Sequence, residues 1–281
     1  MNRRNFLKTV SKTAAGIMLS GSRSQAGNNN LSTDNNSSNG SYSKEFEDLE
    51  KYDFILPRVK FTPIKIPGRG QGPDFWNVRP GGDRNLLRRL SSVIRCKTKP
   101  ITNVDEDGFK IQLADKEGQL NAIVTFDNPD QVNQYPFLFM TDENEFRFTR
   151  TQKDNLHNYI KRGGFLFMVD CVVDQGGDFF FRSAYDLLED VFGRGSVKAV
   201  PIQHEIFHNV YDLGEVGLPY LKGQMHGPKG VFVNDRLAVF LSPNDIHCGW
   251  CDNTRTNFPS PMQYEHAIQI GVNIIIYSIT H

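Results

Sequence analysis

The chain has 281 residues, and its 32 Lys and Arg are balanced by 32 Asp and Glu. That length allows one large domain or two small ones, and the zero formal net charge removes any overall electrostatic argument for nucleic acid.

The amino terminus reads as an export signal. Asn2-Arg3-Arg4-Asn5-Phe6-Leu7-Lys8 precedes an apolar stretch from Thr13 to Leu19. Paired arginines followed by Phe-Leu-Lys resemble the twin-arginine signal, with Asn2 where Ser or Thr is usual. The apolar part is too short to span a bilayer. Ser24-Gln25-Ala26 offers a small-x-small cleavage site, and no Cys follows for lipid attachment. Residues 1–26 are therefore expected to be removed, leaving an exported, periplasmic protein with no stable membrane anchor. Residues 27–44 are dominated by Asn, Ser and Gly and read as a flexible tether. A single α/β domain is expected from 45 to 281, with no internal repeat.

Within that domain, Val59 to Ile66 alternates and holds a proline, which predicts an edge or opening strand. Residues 68–82 are rich in Gly and Pro, carry Trp76 and read as a long functional loop. Asp83 can cap a helix in which Leu86, Leu87, Leu90, Val93 and Ile94 face the core. The stretch 111–124 reads as short strands with a turn at Glu117-Gly118.

The most informative unit follows. Phe137-Leu-Phe-Met-Thr141 and Phe165-Leu-Phe-Met-Val169 are apolar runs without polar alternation, as suits strands covered on both faces, and they end at Asp142 and Asp170. The helix between them can start at Thr149, with Gln152 completing a capping box, present Leu156, Tyr159 and Ile160 on one face, and stop at Gly163. Phe180 to Phe192 reads as a helix, 196–202 and 236–241 as strands, and Tyr264 to Ile279 as a last helix burying Ala267, Ile268, Gly271, Ile275 and Ile279. This order predicts a doubly wound, mainly parallel sheet with helices on both faces, of flavodoxin-like type. In such sheets ligands bind at the carboxyl ends of the strands, which is where Asp142 and Asp170 fall.

Trp76 with Gly81-Gly82-Asp83 and Leu86-Leu87 opens an ordered series of residues. It continues through Tyr135-Pro-Phe-Leu-Phe-Met140, Tyr159-Ile160, Gly163-Gly164-Phe165-Leu166, Asp170 and Phe181-Arg182. It ends with His204, Ile206-Phe207-His208, Ser242, Asn244-Asp245, Gly249-Trp250 and Gly271-Val-Asn273. The series resembles the bacterial family of domains of unknown function numbered 4159. The resemblance implies a fold similar to class I glutamine amidotransferase-like and trehalose-utilisation-like domains. It supplies no reaction, and fold analogy alone does not license one.

Several motifs carry potential chemistry. His204-Glu-Ile-Phe-His208 matches the zinc metalloprotease pattern H-E-x-x-H, which needs a helix to bring both histidines to one face. Pro201 and the nearby Gly214 leave little room for one, and the resemblance implies proline where Glu205 stands. No metal or other cofactor is expected. Cys248-Gly-Trp-Cys251 lacks the following helix that would activate its first thiol, although the pair could close a small disulfide. Cys171 beside Asp170 is a candidate nucleophile with His204 as its base, or Asp170 and His204 an acid–base pair, but the glycine-flanked elbow is missing.

Thr141, Asp142, Asp170, Ser242, Asn244 and Asp245 at strand ends, with Asp83, are candidate ligand-binding groups. Arg182 could neutralise Asp170 or clamp an anion, and Trp76 and Trp250 are candidate stacking walls. The expected function is binding of a small polar ligand, a carbohydrate or an anionic metabolite, in a cleft at that edge. The runner-up is a hydrolase or amidotransferase-like enzyme using His204 with Asp170 or Cys171. A third reading takes the eleven Lys and Arg between Arg58 and Lys99 as a docking surface for an envelope protein.

Overall fold

The computed structural model describes residues 49–64, 75–101, 121–172, 177–251 and 258–281. The expected signal peptide and tether lie outside these residues, as do the first half of the loop 68–82 (68–74) and the stretch 111–120. Among the described residues, no helix is long and apolar enough to cross a membrane.

A seven-stranded sheet organises the chain in the order β3-β1-β4-β6-β9-β8-β7. Its strands are β1 (Pro57–Val59), β3 (Ala122–Val124), β4 (Phe137–Asp142), β6 (Phe165–Asp170), β7 (Val197–Ala199), β8 (Lys229–Val233) and β9 (Arg236–Ser242). The first five in this order run parallel, and β8 and β7 add an antiparallel edge. β2 (Pro63–Ile64) and β5 (Glu145–Phe146) form a separate two-stranded ribbon. Numbered in chain order, the parallel strands read 2-1-3-4-5, the flavodoxin-like doubly wound order, with its switch point between β1 and β4.

The helices are α1 (Pro80–Ile94), α2 (Pro129–Val132), α3 (Arg150–Lys161), α4 (Phe179–Phe192), α5 (Ile246–Gly249) and α6 (Pro261–Thr280). Strand alternation splits the interior into two cores. Phe137, Phe139, Phe165 and Phe167 pack with Leu86, Leu87 and Leu90 of α1 and with the apolar face of α6. Leu138, Met140, Leu166 and Met168 pack with Leu156 and Ile160 of α3 and Leu187 and Leu188 of α4. Each such side chain contributes about 1.5–3 kcal/mol by leaving water, which explains why β4 is apolar through Met140 and β6 through Val169.

The capping box of α3 forms as expected: Gln152 N donates to Thr149 Oγ1 (3.2 Å) and Thr149 N to Gln152 Oε1 (2.9 Å). Gly163 ends that helix at φ 95°.

Three expectations change. The opening strand spans only 57–59 and lies inside the sheet, between β3 and β4, because Arg58 satisfies its charge internally. α1 begins at Pro80 rather than Asp83. β8 was not expected; it pairs with β9 through a tight turn at Asn234-Asp235, both at positive φ (51° and 61°). Asn and Asp tolerate that conformation, so the hairpin signal was present in the sequence.

Candidate functional site at the carboxyl edge of the sheet

The register of β4 on β6 pairs Asp142 with Asp170, so the two carboxyl groups emerge abreast from adjacent parallel strands. Asp142 Oδ1 accepts from Glu143 N (2.7 Å), Asn144 N (2.8 Å) and Asn144 Nδ2 (2.9 Å). Asp170 Oδ2 accepts from Phe181 N (3.2 Å) in the first turn of α4. Asp142 Oδ2, Asp170 Oδ1 and Asp245 Oδ1 are buried and have no hydrogen-bond partner among the described residues.

Burial pushes the Asp142 carboxyl up to about 7 against its hydrogen bonds from Asn144 and Glu143. Burial raises Asp170 well above the carboxylate range, with Asp245, Asp178 and Asp142 adding repulsion. Asp245 is also raised by burial, although Arg79 and the thiols of Cys248 and Cys171 oppose it.

Beside these acids lies a thiol cluster. Cys171 directly follows β6, and its Sγ is 3.4 Å from that of Cys248 in α5. Hydrogen bonding to Cys248, then burial, raises the Cys171 thiol well above its ordinary value. Burial pushes Cys251 up to about 12. All four cysteines of the chain are free and buried, and the close partner of Cys248 is Cys171 rather than Cys251. Arg79, at positive φ (51°) just before α1, faces the same group: burial works against its charge, but the three thiols and Asp245 outweigh it.

A second buried polar group underlies the edge. Arg58 Nε and Nη2 grip Asp83 Oδ2 and Oδ1 (2.8 and 2.7 Å), and Nη1 donates to the Trp76 carbonyl (3.1 Å). His247 Nε2 lies 3.0 Å from Asp83 Oδ1 and 2.8 Å from Arg58 Nη2. Burial and the Arg58 charge push His247 down to about 4, so its ring is neutral at pH 7. Burial would raise Asp83, but Arg58 and His247 prevail and hold it below its ordinary value. The cluster joins β1, α1 and α5, and Asp83 is thereby a structural ion-pair partner rather than a ligand group. Sequence reasoning missed Arg58, Arg79 and His247. The partners of Arg58 stand 25 and 189 positions away, so only the fold brings them together.

The remaining candidates separate. Ser242 Oγ donates to Asn244 O (3.0 Å) and accepts from Asn244 N (3.2 Å), while Asn244 Nδ2 donates to Pro219 O (3.0 Å), so both serve the turn after β9. Thr141 is buried at the end of β4 with its hydroxyl unpartnered. Trp76 is buried against the second core, with Lys60 Nζ 5.7 Å over its ring.

Trp250 is no stacking wall. It is fully buried among Phe139, Phe167 and His247, and its Nε1 donates to Ala267 O (2.9 Å). Arg182 pairs with Asp178 (3.0 Å) rather than Asp170 and lines an open groove of about 550 Å³ with Arg147, Lys153, Asp186 and Asp190.

His204 stands at the opposite edge of the sheet. Its ring packs 5.2 Å from Tyr277, whose hydroxyl accepts from Leu237 N at the start of β9. A six-residue strand spans about 17–20 Å, so His204 cannot share a substrate with Asp170 or Cys171. The H-E-x-x-H segment forms only a 3-10 turn, Glu205–Phe207. His204 Nδ1 accepts from Ile206 N (3.1 Å), and His208 lies against Asp212 Oδ1 and Ile202 O (2.7 Å each). The basic run is divided as well, since Arg58 and Arg79 are buried.

The fold and this edge together define a flavodoxin-like α/β domain with a buried acid and thiol site at the strand ends. A family model matches residues 69–279, and the chain belongs to that family, Domain of unknown function (DUF4159). No curated protein matches the chain.

Proposed function

We propose that the domain binds a small polar ligand rich in hydroxyl or amine donors at the carboxyl ends of β4, β6 and β9. The observation that carries this reading is the trio of buried, unpartnered carboxyl oxygens on Asp142, Asp170 and Asp245. Buried acceptors are ordinarily satisfied, and each one left bare costs about 1–3 kcal/mol. A hydroxyl-bearing ligand recovers that cost, because each hydroxyl can donate to a bare carboxyl oxygen or accept from one that burial keeps protonated, whereas an anion only accepts. A neutral carbohydrate or polyol therefore fits better than an anionic metabolite.

A hydrolase or amidotransferase-like reaction through His204 is disfavoured by its place at the far edge. The glutamine amidotransferase-like resemblance remains a proposal about strand order alone. Export by the twin-arginine route is supported by Arg3-Arg4 and Phe6-Leu-Lys8. Docking to an envelope protein keeps only the exposed part of the basic run as support.

The test is a thermal-shift panel of glucose, maltose and inositol on the wild-type chain and Asp170→Asn. A sugar-dependent rise in Tm that Asp170→Asn abolishes is expected. Equal responses of the two proteins, or none to any of the three, would contradict the reading.

A further inference from the structure

Cys171, Asp245 and Cys248 each place one donor atom so that all three lie within 4.8 Å of one another, and all three residues are buried. We propose that they form a binding site for one thiophilic divalent cation, of which zinc is the type. Two thiolates on a tetrahedral zinc, each about 2.3 Å from the metal, stand roughly 3.8 Å apart. The observed 3.4 Å separation of Cys171 and Cys248 is within a few tenths of an ångström of that. A disulfide would need the sulfurs to close to about 2.05 Å.

The donor set and the charge point the same way. Two sulfurs and a carboxylate oxygen suit zinc better than magnesium or calcium, which take oxygen ligands. Deprotonated, the three groups carry three negative charges, and the adjacent Arg79 carries one positive charge. A divalent cation makes this buried group neutral, whereas without it the interior holds uncompensated charge. As each metal–sulfur bond forms, the thiol proton passes to solvent, and no electron is transferred.

The donors are also held in place: Cys171 by β6, and Cys248 and Asp245 by the turn and helix that follow β9, strands locked by the Val169–Ser242 register. Three protein ligands is the number that catalytic zinc sites use, with a fourth position for water or substrate. Asp142 and Asp170 take no part, and Asp245 is the one group shared with the carbohydrate reading, so loss of the sugar response in Asp170→Asn and loss of the cobalt band in the cysteine variants report on the two sites separately.

The experiment uses the full chain, reduced and stripped of metal, titrated with Co²⁺ and then Zn²⁺. One Co²⁺ per chain is expected, with a sulfur-to-cobalt charge-transfer band that an equivalent of Zn²⁺ removes. The band is expected to vanish in Cys171→Ser and Cys248→Ser, to weaken in Asp245→Asn and to persist in Cys96→Ala. Should a serine variant fail to fold, zinc protection of Cys171 and Cys248 from alkylation in the wild-type chain gives the same reading by peptide mass spectrometry. Absence of the band, its survival in both serine variants, or a Cys171–Cys248 disulfide that forms and persists in the presence of zinc would overturn the proposal.

Discussion

Asp142 carries the clearest thermodynamic consequence at the scale of single residues. Its carboxyl ionises near 3.8 when exposed and near 7 in the fold. Between these values the folded chain holds a proton that the unfolded chain has lost, so stability falls as pH rises from about 4 to about 7. The full difference corresponds to roughly 4 kcal/mol. Urea denaturation should show the wild-type chain losing stability over that window and Asp142→Asn losing markedly less. Identical pH profiles would contradict the assignment. Arg58 behaves oppositely: Arg58→Ala leaves Asp83 buried without its cation and should cost about 3–5 kcal/mol in the same assay. A cost near zero would mean that the Arg58–Asp83–His247 group is not the clamp described.

At the scale of elements, β4, α3 and β6 were legible because hydrophobic runs, a capping box and a terminal glycine each have a local physical cause. α6 starts at Pro261, three residues before the expected Tyr264, and its capping box at Ser260 was missed. The single strand read over Val59 to Ile66 divides, Pro57–Val59 entering the sheet between β3 and β4 and Pro63–Ile64 pairing with β5, and only the distant Asp83 makes Arg58 tolerable inside the sheet. The site was half legible for the same reason. Asp142, Asp170, Asp245 and Cys171 follow from strand ends, whereas Trp250 and His204 have surroundings set by tertiary packing. α6 offers a test of that packing at Gly271. A methyl group there would lie 2.7 Å from Leu86 Cδ1 and 3.1 Å from Trp250 Nε1. Alanine favours a helix over glycine by about 1 kcal/mol, but overpacking against a fixed indole costs about 1–3 kcal/mol. Gly271→Ala is therefore expected to lower the urea midpoint, and a rise would show that the helix can move away from Trp250.

The whole molecule depends on residues before the matched family span. β1, Pro57–Val59, precedes residue 69 yet lies between β3 and β4 and carries the cation for Asp83. A chain beginning at Arg69 loses an interior strand and leaves a buried carboxylate unpaired, so it should show no cooperative unfolding transition by circular dichroism. A chain beginning at Glu45 should keep one. A cooperative transition in the shorter chain would mean that the sheet closes without β1.

The central claim is that the buried carboxyl groups at the strand ends face a hydroxyl-bearing ligand. Its most direct test is carbon NMR of the Asp side-chain carboxyls in the full chain as inositol, glucose or maltose is added. Saturable shifts are expected at Asp142, Asp170 and Asp245 with one of these compounds, and none at the exposed Asp127 and Asp235. Unmoved resonances at the three buried acids, across all three compounds, would contradict it.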